Sequence, residues 1–330
     1  MGRDALVDDL TDALIPHTPE ELIAIARREM AWCDDELRRA SREMGLGGSW
    51  QAAIELVKGL HEAPGAQPAL VRDLALEAIN WLMERNLVTV PPLCEETWRM
   101  EMMSAERQKV SPFFLGGETI IVSYPTYDMD HERKRMSMRG NNRFFSRATV
   151  QHELIPGHHL QGFSQERHRP YRRLFNTPFW TEGWALHWEM VLYDAGFAST
   201  PEDRVGMLFW RRHRCSRVLF SLAFHMGLMT PDECITMLVE EVGHERANAE
   251  AEVRRSFGGD YPPLYQCAYL IGGLQLGALR RECQTGGMSD LEFHDGVLRR
   301  NCMPIPLLRA LMTGAPIPRD FPVDWRWDQP

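Results

Sequence analysis

The chain has 330 residues, 44% hydrophobic and 25% charged, with a formal net charge of −9 at pH 7. At ~150 residues per domain it holds one large or two ordinary domains with ample material for a core, which excludes disordered and fibrous classes. The acidic balance argues against nucleic-acid and membrane-surface partners, which call for a basic face. No window approaches ~18 consecutive apolar residues, so no transmembrane helix is expected.

The first residues, Met1 to Asp9, lack an apolar run of the secretory type, and the chain reads as a cytoplasmic protein. Seven cysteines (Cys33, Cys94, Cys215, Cys234, Cys267, Cys283, Cys302) stand singly with no C-x-x-C, as expected of reduced, packed thiols. No G-x-S-x-G, G-x-x-x-x-G-K-[ST] or G-x-G-x-x-G occurs, so serine-hydrolase, P-loop and dinucleotide readings have no support.

Helix signals dominate from the start. Thr18-Pro19-Glu20-Glu21, Thr200-Pro201-Glu202-Asp203 and Thr230-Pro231-Asp232-Glu233 share one signature: a hydroxyl cap, proline at the first helical position, then acids facing the exposed N–H groups. They predict long helices over 19–44, 201–228 and 231–256, with further helices over 50–62, 67–86, 95–108, 143–165, 178–196, 262–284 and 289–300. Thr119-Ile120-Ile121-Val122-Ser123, entered through Gly116-Gly117 and closed by Pro125, is the one β signal, a small element near 112–124. The stretch 126–142 reads as a surface connection, and the proline-rich tail after Thr313 as irregular. The expected architecture is mainly α, a single domain over 1–330 with an N-terminal helical part (1–140) and site-bearing helices beyond it (141–330).

The chemistry concentrates in Gln151-His152-Glu153-Leu154-Ile155-Pro156-Gly157-His158-His159-Leu160-Gln161. It starts like H-E-x-x-H, in which two histidines one helical turn apart bind zinc and the glutamate activates water. Pro156, which binds no metal, takes the fifth position. On an unbroken helix His158 would lie ~120° round from His152, whereas His159 returns to within ~20° of the same face but ~10.5 Å further on. Pro156 and Gly157 interrupt that helix, and a two-residue bulge brings His158 to the second ligand position, with His159 its rival. The third ligand is Glu182, an acid embedded in the apolar segment Phe179-Trp180-Thr181-Glu182-Gly183-Trp184-Ala185-Leu186; a buried carboxylate calls for a cation. Two histidines and a glutamate leave an open position, as catalytic zinc requires. Glu189 lies on nearly the same face and is a candidate to orient a ligating histidine.

The motifs H-E-x-x-P-G-H-H-L-Q and E-G-W-A-L resemble a bacterial family catalogued as domain-of-unknown-function family eight-eight-five. Arg214-Cys215-Ser216-Arg217 with His225, Glu252-Val253-Arg254-Arg255 and Pro263 to Gly272 are similar to its further segments, over roughly Pro19 to Glu282. Leu264-Tyr265, Ser221 and His187 depart from the family pattern, and the chain is shorter than typical members, lacking a large N-terminal portion. The resemblance implies a zincin-like fold of the glutamate-ligand (gluzincin) type and metal-assisted hydrolysis, with Glu153 as general base. It also implies Tyr269, or failing it His225, as the donor to the oxyanion. Arg217 and Arg255 match family positions and are candidates to bind a substrate carboxylate.

The expected activity is a zinc-dependent hydrolase, metallopeptidase or amidase in type, acting on a peptide or small amide. The same triplet suits an iron(II) enzyme acting on a small molecule, and a non-catalytic, zinc-stabilised protein is the third reading. Asp128-Met129-Asp130-His131 reads as a polar turn rather than a second metal site. The sequence carries no reading of oligomeric state.

Overall fold

The computed structural model describes residues 1–108, 119–259 and 261–328. It begins with α1 (Arg3–Asp12), α2 (Pro19–Glu43), α3 (Trp50–Gly59), α4 (Gln67–Arg85) and α5 (Pro92–Thr97). Strand β1 (Arg99–Met102) and the short α6 (Ala105–Gln108) lead to β2 (Thr119–Val122) and α7 (His131–Gly140). Then come α8 (Arg143–Glu153), α9 (His158–Arg167), a 3-10 turn (Pro170–Phe175), α10 (Pro178–Asp194) and α11 (Pro201–His225). The chain continues through α12 (Pro231–Met237), a π-helical turn (Leu238–Val242), α13 (Arg246–Phe257), α14 (Tyr265–Thr285), α15 (Asp290–Arg300) and α16 (Ile305–Thr313). With 69% of the described residues helical, the protein is mainly α.

The threonine signatures act as local chemistry dictates. Thr18, Thr200 and Thr230 each accept from the backbone N–H three residues on, while the acid at that third position reaches back to the cap's own N–H. Four orphan donors open every helix, and this reciprocal pair satisfies two of them.

Several expected boundaries move. The helix expected over 143–165 is two, α8 and α9, separated by a turn through Leu154, Ile155, Pro156 and Gly157. A Cβ at position 157 would stand 1.8 Å from the His152 carbonyl oxygen, so only glycine fits there. The helix expected over 231–256 breaks at Gly243 (φ 92°), a left-handed position, and 95–108 becomes α5, β1 and α6. α7 replaces much of the connection expected over 126–142; Asp130 accepts from Arg133 N and so caps it. Asp128 accepts from Thr126 Oγ1 at 2.6 Å. The sheet is a parallel pair, Arg99 opposite Thr119 through Met102 opposite Val122; the 112–118 part of the expected β element lies outside the described residues.

One apolar cluster runs from Leu6 to Trp327, with Trp180, Trp184 and Trp188 fully buried at its centre. A smaller one packs Ile120 and Val122 of β2 against Leu70, Val71 and Leu74 of α4 and Val150 and Leu154 at the end of α8. α10 and α14 are in tight backbone contact at Gly183 and Gly272, where a Cβ on Gly272 would stand 2.0 Å from the Phe179 carbonyl oxygen. The tail after Thr313 folds back: Trp327 is buried and Asp328 lies 2.7 Å from His17 Nε2. All seven cysteines are buried and unbridged, and no helix among the described residues is long and apolar enough to cross a membrane.

Candidate metal centre

His152 is the last buried residue of α8, and its ring is fixed from behind. Its Nδ1 lies 2.6 Å from Glu189 Oε1 on α10; a carboxylate accepts only, so the proton sits on Nδ1 and the Nε2 lone pair faces forward. Arg214 on α11 donates to the same oxygen of Glu189 at 3.2 Å, compensating the buried charge.

The turn at Pro156-Gly157 then starts α9 in a new direction. His158, its first residue, comes edge-on to His152 with ring centroids 4.8 Å apart. Its Nε2 lies 3.2 Å from Glu182 Oε2, while Nδ1 lies 3.4 Å from Gln161 Oε1. Gln161 is held in turn by the Trp180 carbonyl at 3.3 Å. Glu182 Oε2 also lies 3.5 Å from His152 Nε2. Candidate donor atoms of His152, His158 and Glu182 lie within 4.8 Å of one another, a grouping unique among the described residues. His159 turns the other way: its Nε2 lies 2.9 Å from the Cys94 carbonyl of α5. His158 thus lies inside the cluster and His159 outside it.

Burial disfavours the charged forms of Glu182 and His158, yet each is the other's compensation. Glu182 is held well below the usual carboxylate range by His158 and His152, and His158 is lifted to about 9 by Glu182. Such an arrangement of buried carboxylate and converging imidazole nitrogens is one a divalent cation satisfies. The ligand types, their number and the oriented His152 tautomer all fit zinc.

The cluster opens on a cavity of about 350 Å³ that Glu153, Arg214, Arg217, Arg255, Tyr265 and Tyr269 help to line. Glu153 is half-buried at its edge, directly after His152. Tyr269 on α14 lies nearly parallel to the His152 ring, with centroids 6.0 Å apart and an Arg217 guanidinium 4.3 Å above its face. Burial, with Glu182 nearby, pushes its hydroxyl up to about 12, keeping it a donor.

The structure does not bring every candidate together. His225 lies at the far end of α11, against Phe224 and Phe257, and lines no part of this cavity. Arg217 faces the cavity, but its Nε already donates to Glu252 Oε1 at 2.6 Å, and Arg255 Nε lies 3.8 Å from Glu252 Oε2. Glu252, which the sequence offers only as part of the segment Glu252–Arg255 and with no role, is the pivot between them; burial opposes its charge, but the two guanidiniums hold it at about 2. Tyr265 was also missed: its hydroxyl donates to Glu182 Oε1. The only sequence signal was its place in the departure Leu264-Tyr265.

The molecule is thus a mainly helical protein with a buried His–His–Glu cluster at the base of an arginine- and tyrosine-lined cavity. It belongs to the family described as "Bacterial protein of unknown function (DUF885)", whose profile matches residues 9–312. No curated protein matches the chain. Two solved structures share the fold: a lipoprotein candidate of unknown function from Shewanella oneidensis (TM-score 0.75, 20% identity, covering 91% of this chain and 57% of that one), and a lipoprotein candidate from Colwellia psychrerythraea (TM-score 0.74, 22% identity, 90% and 52%). The chain therefore spans little more than half the length of these two structures.

Proposed function

We propose that the protein is a zinc-dependent hydrolase of zincin-like, glutamate-ligand type, cleaving peptide or other amide bonds. The observation that carries this is the convergence of His152, His158 and Glu182 donor atoms within 4.8 Å, with Glu153 next in sequence to His152 at the mouth of the same cavity.

His152, His158 and Glu182 would hold the metal. Bound there, zinc supplies a Lewis acid that lowers the pKa of a water and polarises a substrate carbonyl. Glu153 is the general base, accepting a proton from water and returning it to the leaving nitrogen. Glu189 keeps His152 in the tautomer that presents Nε2, and Tyr265 holds Glu182 by one oxygen, leaving the other for the cation. Tyr269, protonated and beside His152, would donate to a developing oxyanion. Arg217 donates to Glu252, Arg255 lies within ion-pair range of it, and both line the cavity, where a substrate carboxylate would meet them.

The test is metal analysis of the wild type beside single variants. One zinc per chain is expected, lost in His152→Ala, His158→Ala and Glu182→Ala and kept in His159→Ala and Glu153→Gln. Glu153→Gln should abolish turnover of a peptide library while retaining zinc. Zinc retained in Glu182→Ala, or iron with oxygen consumption in the wild type, overturns the assignment.

A further inference from the structure

A second cavity, about 760 Å³, lies among Arg169 and Arg172 at the Pro170–Phe175 turn, α15 from Leu291 to Arg300, and Leu311 of α16, and shares no lining residue with the His152 cavity. Its size suits a small molecule. Arg169, Arg172, Arg299 and Arg300 line it, against two acids, Asp295 and Glu292.

Both acids are committed elsewhere. Asp295 accepts from Thr89 N and Oγ1 and pairs with Arg299 at 3.0 Å. Glu292 accepts from Ser289 N and Oγ, closing the capping box of α15. The other three arginines have no carboxylate partner among the described residues; their bonds go to backbone carbonyls. Arg169 donates to Arg299 O, Arg172 to Arg300 O, and Arg300 to Gly296 O and Leu311 O. A guanidinium has five N–H donors, so most remain free. Burial, together with repulsion from Arg169 and Arg172, keeps the Arg300 pKa below its ordinary value, the mark of crowded and uncompensated cations.

The walls are also tied to each other. Asn301 Nδ2 lies 2.9, 2.6 and 3.2 Å from the carbonyl oxygens of Gln165, His168 and Arg169, which share its two N–H donors, and Cys302 Sγ lies 3.1 Å from the Arg172 carbonyl. Arg169 and Asn301 both hold positive φ, 49° and 62°, which side chains avoid unless the surroundings enforce it. The guanidiniums are therefore displayed on a clamped frame rather than on free surface chain.

We propose that this cavity binds the phosphate group of a small phosphorylated molecule, gripped by Arg169, Arg172 and Arg300, with its organic part against Leu291 and Leu311. The wall charges leave an excess of two positive charges, four arginines over two acids. A phosphomonoester carries about −1.5 to −2 near pH 7, and its oxygens match the planar guanidinium fork. A lipid carrying a phosphomonoester head group presents the same chemistry.

Calorimetric titration of the full chain with phenyl phosphate tests this, run with 1,10-phenanthroline, a neutral chelator, so that no metal holds the anion. Binding of one phenyl phosphate per chain is expected, weakened about tenfold or more in Arg172→Gln and Arg300→Gln and unchanged in Glu153→Gln. Arg169→Gln removes an exposed side chain and weakens binding even where the half-buried variants fail to fold, which circular dichroism reports. Co-sedimentation with phosphatidylcholine vesicles containing phosphatidic acid separates the sources. Loss of vesicle binding in the same variants, with no response to phenyl phosphate, assigns the phosphate to a lipid. No response to either probe at about 10 mM, or equal binding by Arg169→Gln and wild type, overturns the proposal. None of these readouts depends on the hydrolase assignment.

Discussion

The 2.6 Å contact between His152 Nδ1 and Glu189 Oε1 spans two helices and sets the direction of the whole site. Without it the imidazole is free to present either nitrogen; with it, Nε2 faces His158 and Glu182. Replacing a carboxylate behind a metal-bound histidine typically lowers metal affinity ~10–100-fold. Glu189→Gln is therefore expected to weaken zinc affinity in that range, measured by competition with a chromogenic chelator, while the helical circular dichroism is unchanged. Affinity equal to wild type would mean that Glu189 serves only to neutralise Arg214.

Tyr265 and Tyr269 are one helical turn apart on α14 with rings in edge contact at 5.8 Å, but only Tyr265 donates to Glu182, and this separates their roles. Tyr265 donates to Glu182, so Tyr265→Phe should act on the metal: weaker zinc binding, with kcat and affinity falling together. Tyr269 has no bond to the cluster and faces the space beside His152. Tyr269→Phe should leave zinc content unchanged and lower kcat ~100–1000-fold, the loss usual for one oxyanion donor. Metal titration paired with steady-state kinetics on both variants reads this, and an exchanged pattern would reverse the two assignments.

How much of this was legible in the chain follows from what is local. The threonine caps were, because a cap needs only its next three residues. Glu182 was, because its tryptophan-rich neighbours leave a carboxylate nowhere to go but inside. The choice between His158 and His159 was not, because it depends on the torsions of the Leu154–Gly157 turn, which send His159 toward the Cys94 carbonyl and Thr97 of α5. Strand β1, Arg-Met-Glu-Met, carries no β-branched residue and owes its form to pairing with β2. His225 looked catalytic from its place in a motif, yet it lies beyond Arg217 at the far end of α11, against Phe257. Tyr265 was hidden because its role comes from a helix more than eighty residues after Glu182.

Gly183 and Gly272 let α10 and α14 meet backbone to backbone, and this contact carries Glu182 and Tyr269 on its two sides. A methyl at position 272 would fall 2.0 Å from a carbonyl oxygen that cannot swing away. Overpacking of this kind commonly costs about 1–3 kcal/mol. Gly272→Ala should lose at least that much in urea unfolding, and the helices should part enough to lower zinc affinity. Gly277→Ala on the same helix, where a Cβ meets only the tip of Arg281 at 3.6 Å, should leave both readouts near wild type.

Acid sensitivity should come from two buried histidine pairs rather than from surface acids. His187 and His294 face each other with Nε2 atoms 3.1 Å apart, and His244 Nε2 lies 2.9 Å from His213 Nδ1. Such a pair is satisfied when both rings are neutral, one donating and one accepting. Burial lowers all four: His294 to about 4 and His244 to about 3, with His187 and His213 well below the ordinary value. In the unfolded chain each titrates near 6.5. Between pH 6.5 and 4 the unfolded state thus binds more protons than the folded one, so stability falls as pH drops through that window. For His294 alone the shift corresponds to ~3 kcal/mol at most. Glu252, depressed to about 2, acts lower: its contribution is complete above about 4.5 and is lost as pH falls toward 2. His294→Gln should be less stable at pH 7 but show a shallower decline between pH 6.5 and 4, followed by urea unfolding at each pH. A decline as steep as wild type would show that His294 is already protonated in the folded protein.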